Sequence, residues 1–488
     1  MNYRLLSKLL GLLLILVSGA MATCLAYAFG IDEHGPGIDA VDGFTISAAT
    51  TFVFGMALYL IGRKANMEIL RKEAVAIVGL GWILCGVFGG IPYMVIEPGL
   101  SVAASIFESI SGFTTTGSTV IADLDKYPRS LLLWRSLTQW LGGLGILVLF
   151  VALLSYLGVG SKALFRHESS AKSGQGLQTR IQEVAFRMWF IYVVLSALCF
   201  AGLYLLGLDF YDASNHAMTA VATGGFSPYN DSIAHFDSLK IELWLVIFMI
   251  LGGISFMLYG WLLRGVWDKW KRDEETKWFL SLMTASTVGI GAYLVWTGEA
   301  AGEAFRDSLF QVVSIVTTTG YATTDFDRWP AFPKMILLFL MLLGGCAGST
   351  SGGIKVSRWL LFFKVVWLEV IAAFRPNQVI AVKLNGDKAD QQLRMQTVFF
   401  VALAGVTLGL STGMVGFLEP SLDIDSSLTA AIATLFNIGP GLGAVGPTHN
   451  FSLFSDGTLV FLSLLMLLGR LEFFAILVLF VPALWKRY

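Results

Sequence analysis

Two nearly identical five-residue stretches, TTTGS at 114–118 and TTTGY at 317–321, occur far apart in this chain. Two weaker relatives are ATGGF at 222–226 and NIGPG at 437–441. Each stretch follows a short, mostly apolar segment and centres on a glycine. The fold must therefore explain four similar glycine turns at once.

The composition is that of an integral membrane protein. Of the 488 residues, 56% are hydrophobic and 14% are charged, whereas about 25% are charged in soluble domains. Residues 9–31 form a run of 23 without a charge, and about 20 apolar residues span a bilayer. Arg4 and Lys8 precede the run, and AMA at 20–22 resembles a signal-peptidase site, so a cleaved signal peptide is the alternative. The run is longer than a usual signal-peptide core, which favours a retained helix.

Catalytic and metal-site motifs are absent from the sequence. HExxH, GxSxG and the Walker pattern do not occur, and none of the cysteines has CxxC spacing. Small buried residues are therefore expected at Cys24, Cys85, Cys199 and Cys346 rather than disulfides or ligands. An enzyme or a proton-coupled carrier would need intramembrane histidines or paired acids. The histidines, all expected at or outside the membrane edges, are His34, His167, His216, His235 and His449.

Charge alternates between the segments that separate the long apolar runs. Six segments hold 25 of the 33 Lys and Arg residues, and the five alternate segments hold 6. The positive-inside rule makes the first set cytoplasmic and both termini internal, which fits ten crossings. The basic set is 1–8, 63–73, 159–187, 264–277, 355–394 and 484–488, and the outer set is 32–42, 97–129, 207–240, 298–334 and 418–457. The predicted spans lie near 9–30, 44–62, 74–96, 130–158, 188–207, 241–263, 278–297, 335–363, 396–417 and 458–485.

The last four outer segments each contain an apolar piece of about a dozen residues, the length of a re-entrant helix rather than a span. Each piece ends at one of the glycine turns. The chain is therefore predicted to form two leading helices and four units of helix, half-helix, glycine turn and helix. The half-helices are 102–113, 210–221, 304–316 and 427–437. The leading helices occupy 1–70, and the units occupy 71–160, 161–267, 268–374 and 375–488.

A second landmark keeps step with the turns. LGGLG, LGGIS, LGGCAG and LGRLE occur in the final helices of the units, 26, 28, 25 and 31 residues after the turn glycines. The units run parallel because each begins and ends inside, unlike the inverted repeats of many carriers. Close helix packing is the expected role of the glycine pairs. The aligned positions are Gly143, Gly253, Gly345 and Arg470.

The four turns predict a ring of main-chain oxygens. Irregular backbone at membrane depth is tolerated only where it is buried or lines water. Glycine adopts a positive φ at little cost, and carbonyl rings replace the water shell of a cation. The half-helices direct their negative ends toward the axis, and the outer segments hold 21 Asp and Glu against 6 Lys and Arg. One turn alone is equally well explained as a helix cap, but four in register favour a filter.

These residues resemble the bacterial Trk/Ktr potassium transporters, specifically the TrkH-like membrane subunit. The resemblance covers the whole chain and includes GGCAGSTSGGIKVSR at 344–358 and LLGRLEFF at 467–474. It implies an all-α membrane protein with pseudo-fourfold symmetry around one pore, and potassium uptake across the inner membrane. It also implies a homodimer and a TrkA-like cytoplasmic regulatory subunit that carries the nucleotide site. Potassium is then the transported ion, with no covalent cofactor and no nucleic-acid partner.

The resemblance also assigns the filter residues. The second and fourth turns lack the Thr-Thr pair, so fewer equivalent oxygen rings are expected than in a symmetric channel. Weaker discrimination of potassium over sodium follows from that difference. The filter residues are Thr115, Thr116, Gly117, Thr223, Gly224, Gly225, Thr318, Thr319, Gly320, Asn437, Ile438 and Gly439.

Arg470 is predicted to act at the gate. It lies inside an apolar run, where a cation is costly and usually faces a cavity or a partner. It also occupies the position of a glycine in the other units, near the axis below the filter, and the resemblance associates this arginine with pore closure. A structural pair with an acid is the alternative. Glu472 is two positions away and does not share the helix face of Arg470.

The stretch GGCAGSTSGG at 344–353 predicts a broken helix with a loop beneath the filter, because glycine and hydroxyl residues hold a helix poorly. A packing kink is the alternative. The resemblance makes this loop part of the gate. With Arg470, the predicted gate residues are Gly345, Gly348, Ser349, Thr350, Ser351, Gly352, Gly353 and Lys355.

Two further expectations concern the ion and the partner. The alternative function is a sodium or sodium–potassium transporter of the same fold. In some relatives, that behaviour accompanies a serine at the position of the first filter glycine. Gly117 occupies the position here, which favours potassium. The cytoplasmic stretches 159–187, 264–277 and 364–394 are expected to contact lipid, and some of them to dock the regulatory subunit.

Overall fold

The computed structural model describes residues 1–31, 39–65, 71–145, 174–375 and 381–486. Most residues in these ranges are helical, as predicted. The strands among the described residues form a small antiparallel hairpin of Lys383–Leu384 and Asp387–Lys388. The helices are α1 Tyr3–Ile31, α2 Ala40–Gly62, α3 Arg71–Gly89, α4 Ile91–Val95, α5 Val102–Phe113, α6 Arg129–Trp140, α7 Gly174–Leu205, α8 Phe210–Val221, α9 Leu239–Gly253, α10 Phe256–Leu262, α11 Trp267–Arg272, α12 Glu274–Trp296, α13 Ala301–Val316, α14 Ala331–Met341, α15 Val356–Phe374, α16 Gln391–Leu418, α17 Ile424–Leu435, α18 Asp456–Arg470, α19 Phe474–Leu477 and α20 Pro482–Trp485.

Six of the described helices are long and apolar enough to cross a membrane, and two bent pairs bring the number to as many as 8. The pairs are α9 with α10, bent by 92°, and α18 with Phe474–Phe480, bent by 116°. The predicted span 335–363 is interrupted between α14 and α15. The predicted span 130–158 includes α6, but its residues 146–158 lie outside the described residues. Ten crossings therefore stay a prediction. The single spans are Tyr3–Gly30, Ala40–Gly62, Lys72–Val95, Glu183–Leu205, Glu274–Trp296 and Gln391–Leu418.

Four half-length helices, α5, α8, α13 and α17, end at the four glycine turns. The bounds of α5 and α8 are those predicted, and side-chain caps explain where these helices begin. Ser101 accepts a hydrogen bond from the Ala104 amide, and Asp209 accepts one from the Asp212 amide, which satisfies amides that a helix start leaves unpaired. Helices α13 and α17 begin three residues earlier than predicted, because their first turns contain polar residues that an apolar run excludes. Helix α17 also ends two residues earlier than predicted, at Leu435.

The predicted break in the third unit is present. Helix α14 ends at Met341 and α15 begins at Val356, and we call the intervening segment the 342–355 loop. Its start and end are held together, because Leu343 and Ile354 form an isolated parallel bridge and the Gly344 amide donates to the Ile354 oxygen at 3.0 Å.

Close packing explains the glycine pairs that follow each turn. A Cβ atom at Gly142 would lie 1.8 Å from the Phe113 main-chain oxygen, so α5 ends directly against this glycine. In the third unit the loop takes that place, since a Cβ at Gly344 would lie 2.1 Å from the Gly352 oxygen. In the second and fourth units, a Cβ at Gly252 would lie 2.9 Å from the Val221 oxygen, and one at Gly469 would lie 1.8 Å from the Leu435 oxygen.

All four cysteines are buried, as predicted.

Candidate functional site

The four half-helices end with the same hydrogen-bond pattern. At the end of α5, the Thr115 amide donates to the Gly112 oxygen and the Thr116 amide donates to the Ser111 oxygen, both at 2.9 Å. The corresponding amides of the other turns make the same two bonds, which terminate a helix through a residue in the left-handed region. That residue has a φ of 54° at Thr115, 51° at Thr223, 57° at Thr318 and 54° at Asn437.

A β-branched residue with a positive φ is a conformational outlier. Three of the four left-handed positions are threonines, and all four are buried. Such strain persists only where surrounding structure imposes it, and it clusters at functional sites. Two residues later each turn contains a glycine with a positive φ: 86° at Gly117, 77° at Gly225, 85° at Gly320 and 103° at Gly439.

The four turn glycines form a closed ring. A Cβ at Gly117 would lie 2.4 Å from the Gly224 oxygen, which belongs to the second turn. Each remaining glycine faces the corresponding oxygen of the following turn, and the fourth faces the first. The ring therefore closes in chain order, with no space for a side chain between neighbours. The other distances from a Cβ are 1.9 Å for Gly225 to the Thr319 oxygen, 2.2 Å for Gly320 to the Ile438 oxygen and 2.9 Å for Gly439 to the Thr116 oxygen.

One cavity of about 150 Å³ meets all four glycines. Segments that follow the turns in the chain line the rest of it, among them Ser118, Asn230 and His449. The structure thus brings the twelve predicted filter residues into four adjacent turns whose glycines share one cavity.

Two buried oxygen atoms in the ring have no hydrogen-bond partner among the residues that the structure describes. They are the Thr115 hydroxyl oxygen and the Asn437 Oδ1 atom, at equivalent positions of the first and fourth turns. An unpaired buried oxygen is costly. The arrangement suits a ligand that accepts electron pairs from several oxygens at once.

A buried ion pair stabilises the first turn. The Arg135 Nε atom lies 2.8 Å from Glu108 Oε1, and the two side chains are 2% and 0% exposed. Glu108 Oε2 accepts from the Val120 amide at 2.9 Å, and Arg135 Nη1 donates to the Ser227 oxygen at 3.0 Å. The pair therefore joins the half-helix α5 to the chain leaving the first and second turns.

A different set of groups braces the second and third turns. His216, which was expected at or outside the membrane edge, is fully buried in α8. Its ring nitrogens lie 2.8 Å from the Asp212 oxygen and 3.2 Å from Ser227 Oγ, so both are satisfied without solvent. The Tyr321 hydroxyl bonds to the Thr219 hydroxyl. Hence the TTTGY turn is held by the half-helix of the preceding unit.

Two acidic groups stabilise the fourth unit. Asp327 accepts from the Gly443 amide at 3.2 Å and lies 3.7 Å from the Lys334 ammonium. Hydrogen bonds from the Ser426 side chain and amide lower the pKa of Asp423, which keeps that carboxylate ionised. Asp327 therefore holds the segment after the fourth turn, and Asp423 caps the start of α17.

The 342–355 loop lies against the helix side of three turns. The Gly352 amide donates to the Thr318 hydroxyl at 2.6 Å, and the Gly353 amide donates to the Phe436 oxygen at 2.8 Å. The Thr223 hydroxyl lies 3.2 Å from the Thr350 hydroxyl. The predicted gate residues of the loop are therefore in direct contact with predicted filter residues.

Arg470 connects the loop to the first unit. Its Nη1 atom donates to the Thr350 oxygen at 2.8 Å, and its Nη2 atom donates to the oxygens of Gly142 and Gly143 at 3.1 and 2.9 Å. Its hydrogen-bond partners are main-chain oxygens. Among the described residues, Arg470 therefore does not form the alternative, a structural pair with an acid. Glu472 instead pairs with Arg358.

Lys355 closes the loop at the start of α15. Its Nζ atom donates to the Ser351 oxygen at 2.5 Å, and it immediately precedes Val356, the first residue of α15. Two positive groups, Lys355 and Arg470, thus hold successive parts of the same loop through its main-chain oxygens.

A family model named TrkH and described as a cation transport protein matches residues 41–487. The chain belongs to the TrkH family of cation transport proteins. It is 36% identical over 502 residues to the Trk system potassium uptake protein TrkH of Escherichia coli (strain K12), with 100% of both chains covered. The Trk system potassium uptake protein TrkG of the same organism is 30% identical over 450 residues, covering 91% of each chain.

A solved TrkH structure has the same fold. The crystal structure of the potassium transporter TrkH from Vibrio parahaemolyticus aligns with a TM-score of 0.87 at 33% identity, and 100% of each chain is covered. The family membership predicted from the sequence motifs is therefore confirmed. This TrkH-family chain belongs to a class of transporters rather than of enzymes.

Three functional candidates of this TrkH-family chain were missed by the sequence reasoning. Glu108 and Arg135 brace the first turn, and Glu275 accepts hydrogen bonds from Ala347 in the 342–355 loop and from Ser357 at the start of α15. Arg135 carried a signal, because with Arg470 it is one of the basic residues inside the apolar runs. Glu108 is similarly an acid inside a half-helix, whereas Glu275 begins α12 beside other charges and is inconspicuous.

Proposed function

We propose that the protein takes up potassium across the bacterial inner membrane through a pore whose filter is the ring of four turns. The observation that carries the proposal is the closed cycle of contacts, in which each turn glycine faces a main-chain oxygen of the next turn. Rings of such oxygens substitute for the hydration shell of a monovalent cation. The names of the relatives support potassium as that ion.

The ring is proposed to have pseudo-fourfold symmetry, with one quarter supplied by each of the four predicted units. The similar φ angles of the four turns support this arrangement. Oxygens at Thr115 and Asn437 that lack partners in the described chain are suited to the innermost ion position. Half-helices whose negative ends meet at the ring add a favourable field for a cation.

The gate is proposed to consist of Arg470 and the 342–355 loop. The loop occupies the helix side of the filter turns, where it would obstruct an ion leaving them toward the cytoplasm. Arg470 adds a positive charge beside the same path and holds the loop by the Thr350 oxygen. Opening then requires the loop to leave the turns and Arg470 to release it.

The proposed assembly is a homodimer with both termini in the cytoplasm, controlled by a TrkA-like nucleotide-binding subunit. The excess of Lys and Arg in alternate segments supports the orientation. Similarity over the full length of Trk system proteins supports an assembly of that kind. Part of the predicted docking stretch 159–187 lies outside the described residues.

Growth rescue tests the proposed function. The wild-type chain, expressed in a bacterium that lacks potassium uptake, is expected to restore growth on low potassium. A Gly320→Ser variant is expected to fail, because a side chain at this position meets the Ile438 oxygen. Failure of the wild-type chain to support uptake, despite correct membrane insertion, would refute the proposal.

Reconstituted protein separates the potassium proposal from the sodium alternative. Bi-ionic reversal potentials are expected to show a preference for potassium that is weaker than in a symmetric channel, because the four turns differ in sequence. A preference for sodium would support the alternative, and near-absolute exclusion of sodium would contradict the expected loss of selectivity.

A further inference from the structure

We infer that Glu275 is a positioning residue for the gate, because its carboxylate ties the 342–355 loop at Ala347 to the start of α15. This inference rests on the proposed gating role of the loop. Glu275 lies in the first turn of α12 and is 5% exposed. Its Oε1 atom accepts from the Ala347 amide at 2.6 Å and from the Ser357 amide at 3.0 Å.

The two amides flank the part of the loop that contacts the filter turns. Ala347 precedes Gly348, whose φ of 75° marks a turn within the loop. Ser357 is in the first turn of α15, where helix amides have no partner within the helix. A buried carboxylate on both amides therefore fixes the two sides of the 348–356 segment relative to each other, and that segment contacts the filter turns.

The position of Glu275 is itself well defined. The preceding Asp273 caps α12 by accepting from the Thr276 amide at 2.7 Å. The Glu274 amide donates to the Asn385 side chain at 2.8 Å, and the Glu274 carboxylate pairs with Lys364 of α15. The first turn of α12 is thus attached both to the small hairpin at 383–388 and to α15. It provides a firm base for the carboxylate that holds the loop.

A role of Glu275 through its position and a role through its charge predict opposite effects for two substitutions. Glu275→Gln keeps the length of the side chain and an oxygen that accepts both bonds, but removes the charge. Glu275→Asp keeps the charge but is one methylene shorter, so it cannot reach both amides. If Glu275 acts by position, the Asp variant loses control of the loop and the Gln variant retains it.

The native Cys346 is a reporter within the loop, because it is fully buried beside Ala347. The rate of its modification by a small water-soluble thiol reagent is measured by mass spectrometry, with the other three cysteines replaced by alanine. Glu275→Asp is expected to raise that rate about tenfold, the effect of losing one strong hydrogen bond. Glu275→Gln should stay near the parent rate, as should Glu369→Ala, which removes an exposed acid from α15.

Ion flux supplies the second readout. Potassium flux in vesicles is expected to rise in Glu275→Asp together with the Cys346 rate, and to remain unchanged in Glu275→Gln. Equal behaviour of the two variants, or a larger effect in Gln than in Asp, would overturn the positioning role in folded protein. The thiol measurement does not require transport. If the chain fails growth rescue but the Glu275→Asp and Glu275→Gln variants differ in the Cys346 rate, the proposed function is refuted and the positioning role of Glu275 is retained.

Discussion

The Arg470 guanidinium donates a hydrogen bond to the Thr350 main-chain oxygen at 2.8 Å, which joins the last residue of α18 to the middle of the 342–355 loop. The same side chain reaches the Gly142 and Gly143 oxygens. A positive group with three main-chain partners from two distant segments stabilises one position of the loop, and its removal should destabilise that position.

We expect Arg470→Ala to raise potassium flux. Hydrogen bonds from a charged group contribute about 1.5–3 kcal/mol each, so their loss should shift the equilibrium toward the open state by about tenfold or more. Flux into vesicles measures the effect, and thermal unfolding checks that the variant is folded. Arg470→Lys should give an intermediate flux, because a single ammonium cannot match the planar fork of guanidinium donors. Unchanged flux in well-folded Arg470→Ala protein would count against the gate.

We expect Gly225→Ala to abolish uptake. The new Cβ would lie 1.9 Å from the Thr319 oxygen, at a backbone φ of 77° that disfavours any side chain, so the ring must open or distort. Gly289→Ala in α12 is the matched control, because a Cβ there meets no atom within 4 Å. Growth on low potassium distinguishes the two variants. Normal growth of the Gly225 variant would show that the ring is not the conduction path.

We expect Glu108→Gln to lower the thermal stability of the protein in detergent. The change leaves the Arg135 charge buried without its carboxylate, and breaking a buried ion pair by removing one partner costs about 3–5 kcal/mol. Lys126→Ala is the control. It removes one partner of a pair whose side chains are 69% and 39% exposed, where about 1 kcal/mol or less is expected. Equal unfolding midpoints for the two variants would show that the brace contributes little.

The half-helices and turns could be predicted from sequence because their signals are local. Each apolar piece is short and ends at a glycine, and the φ values at Gly117, Gly225, Gly320 and Gly439 explain the choice of residue. The broken helix was predictable for the same reason, since residues 344–353 are poor helix formers. The starts of α13 and α17 were misplaced because apolarity does not detect a polar first turn.

The contacts between distant segments were not predictable. Arg470 bonds to main-chain oxygens, which every residue possesses, so its partners leave no trace in the sequence. The two bonds of Glu275 also go to main-chain amides, far along the chain. The burial of His216 was not predictable either, because a lone histidine gives no indication that a carbonyl and a hydroxyl will satisfy both ring nitrogens.

The braces behind the four turns differ, with an ion pair at the first and a histidine and a tyrosine hydroxyl at the next two. In an assembly of four identical chains, every mutation is copied into all four walls of the conduit. In the ring that we propose for this chain, one codon alters one wall. Selection or an engineer can therefore adjust the affinity for an ion in small increments, one side at a time, and changes at matched positions should differ in severity.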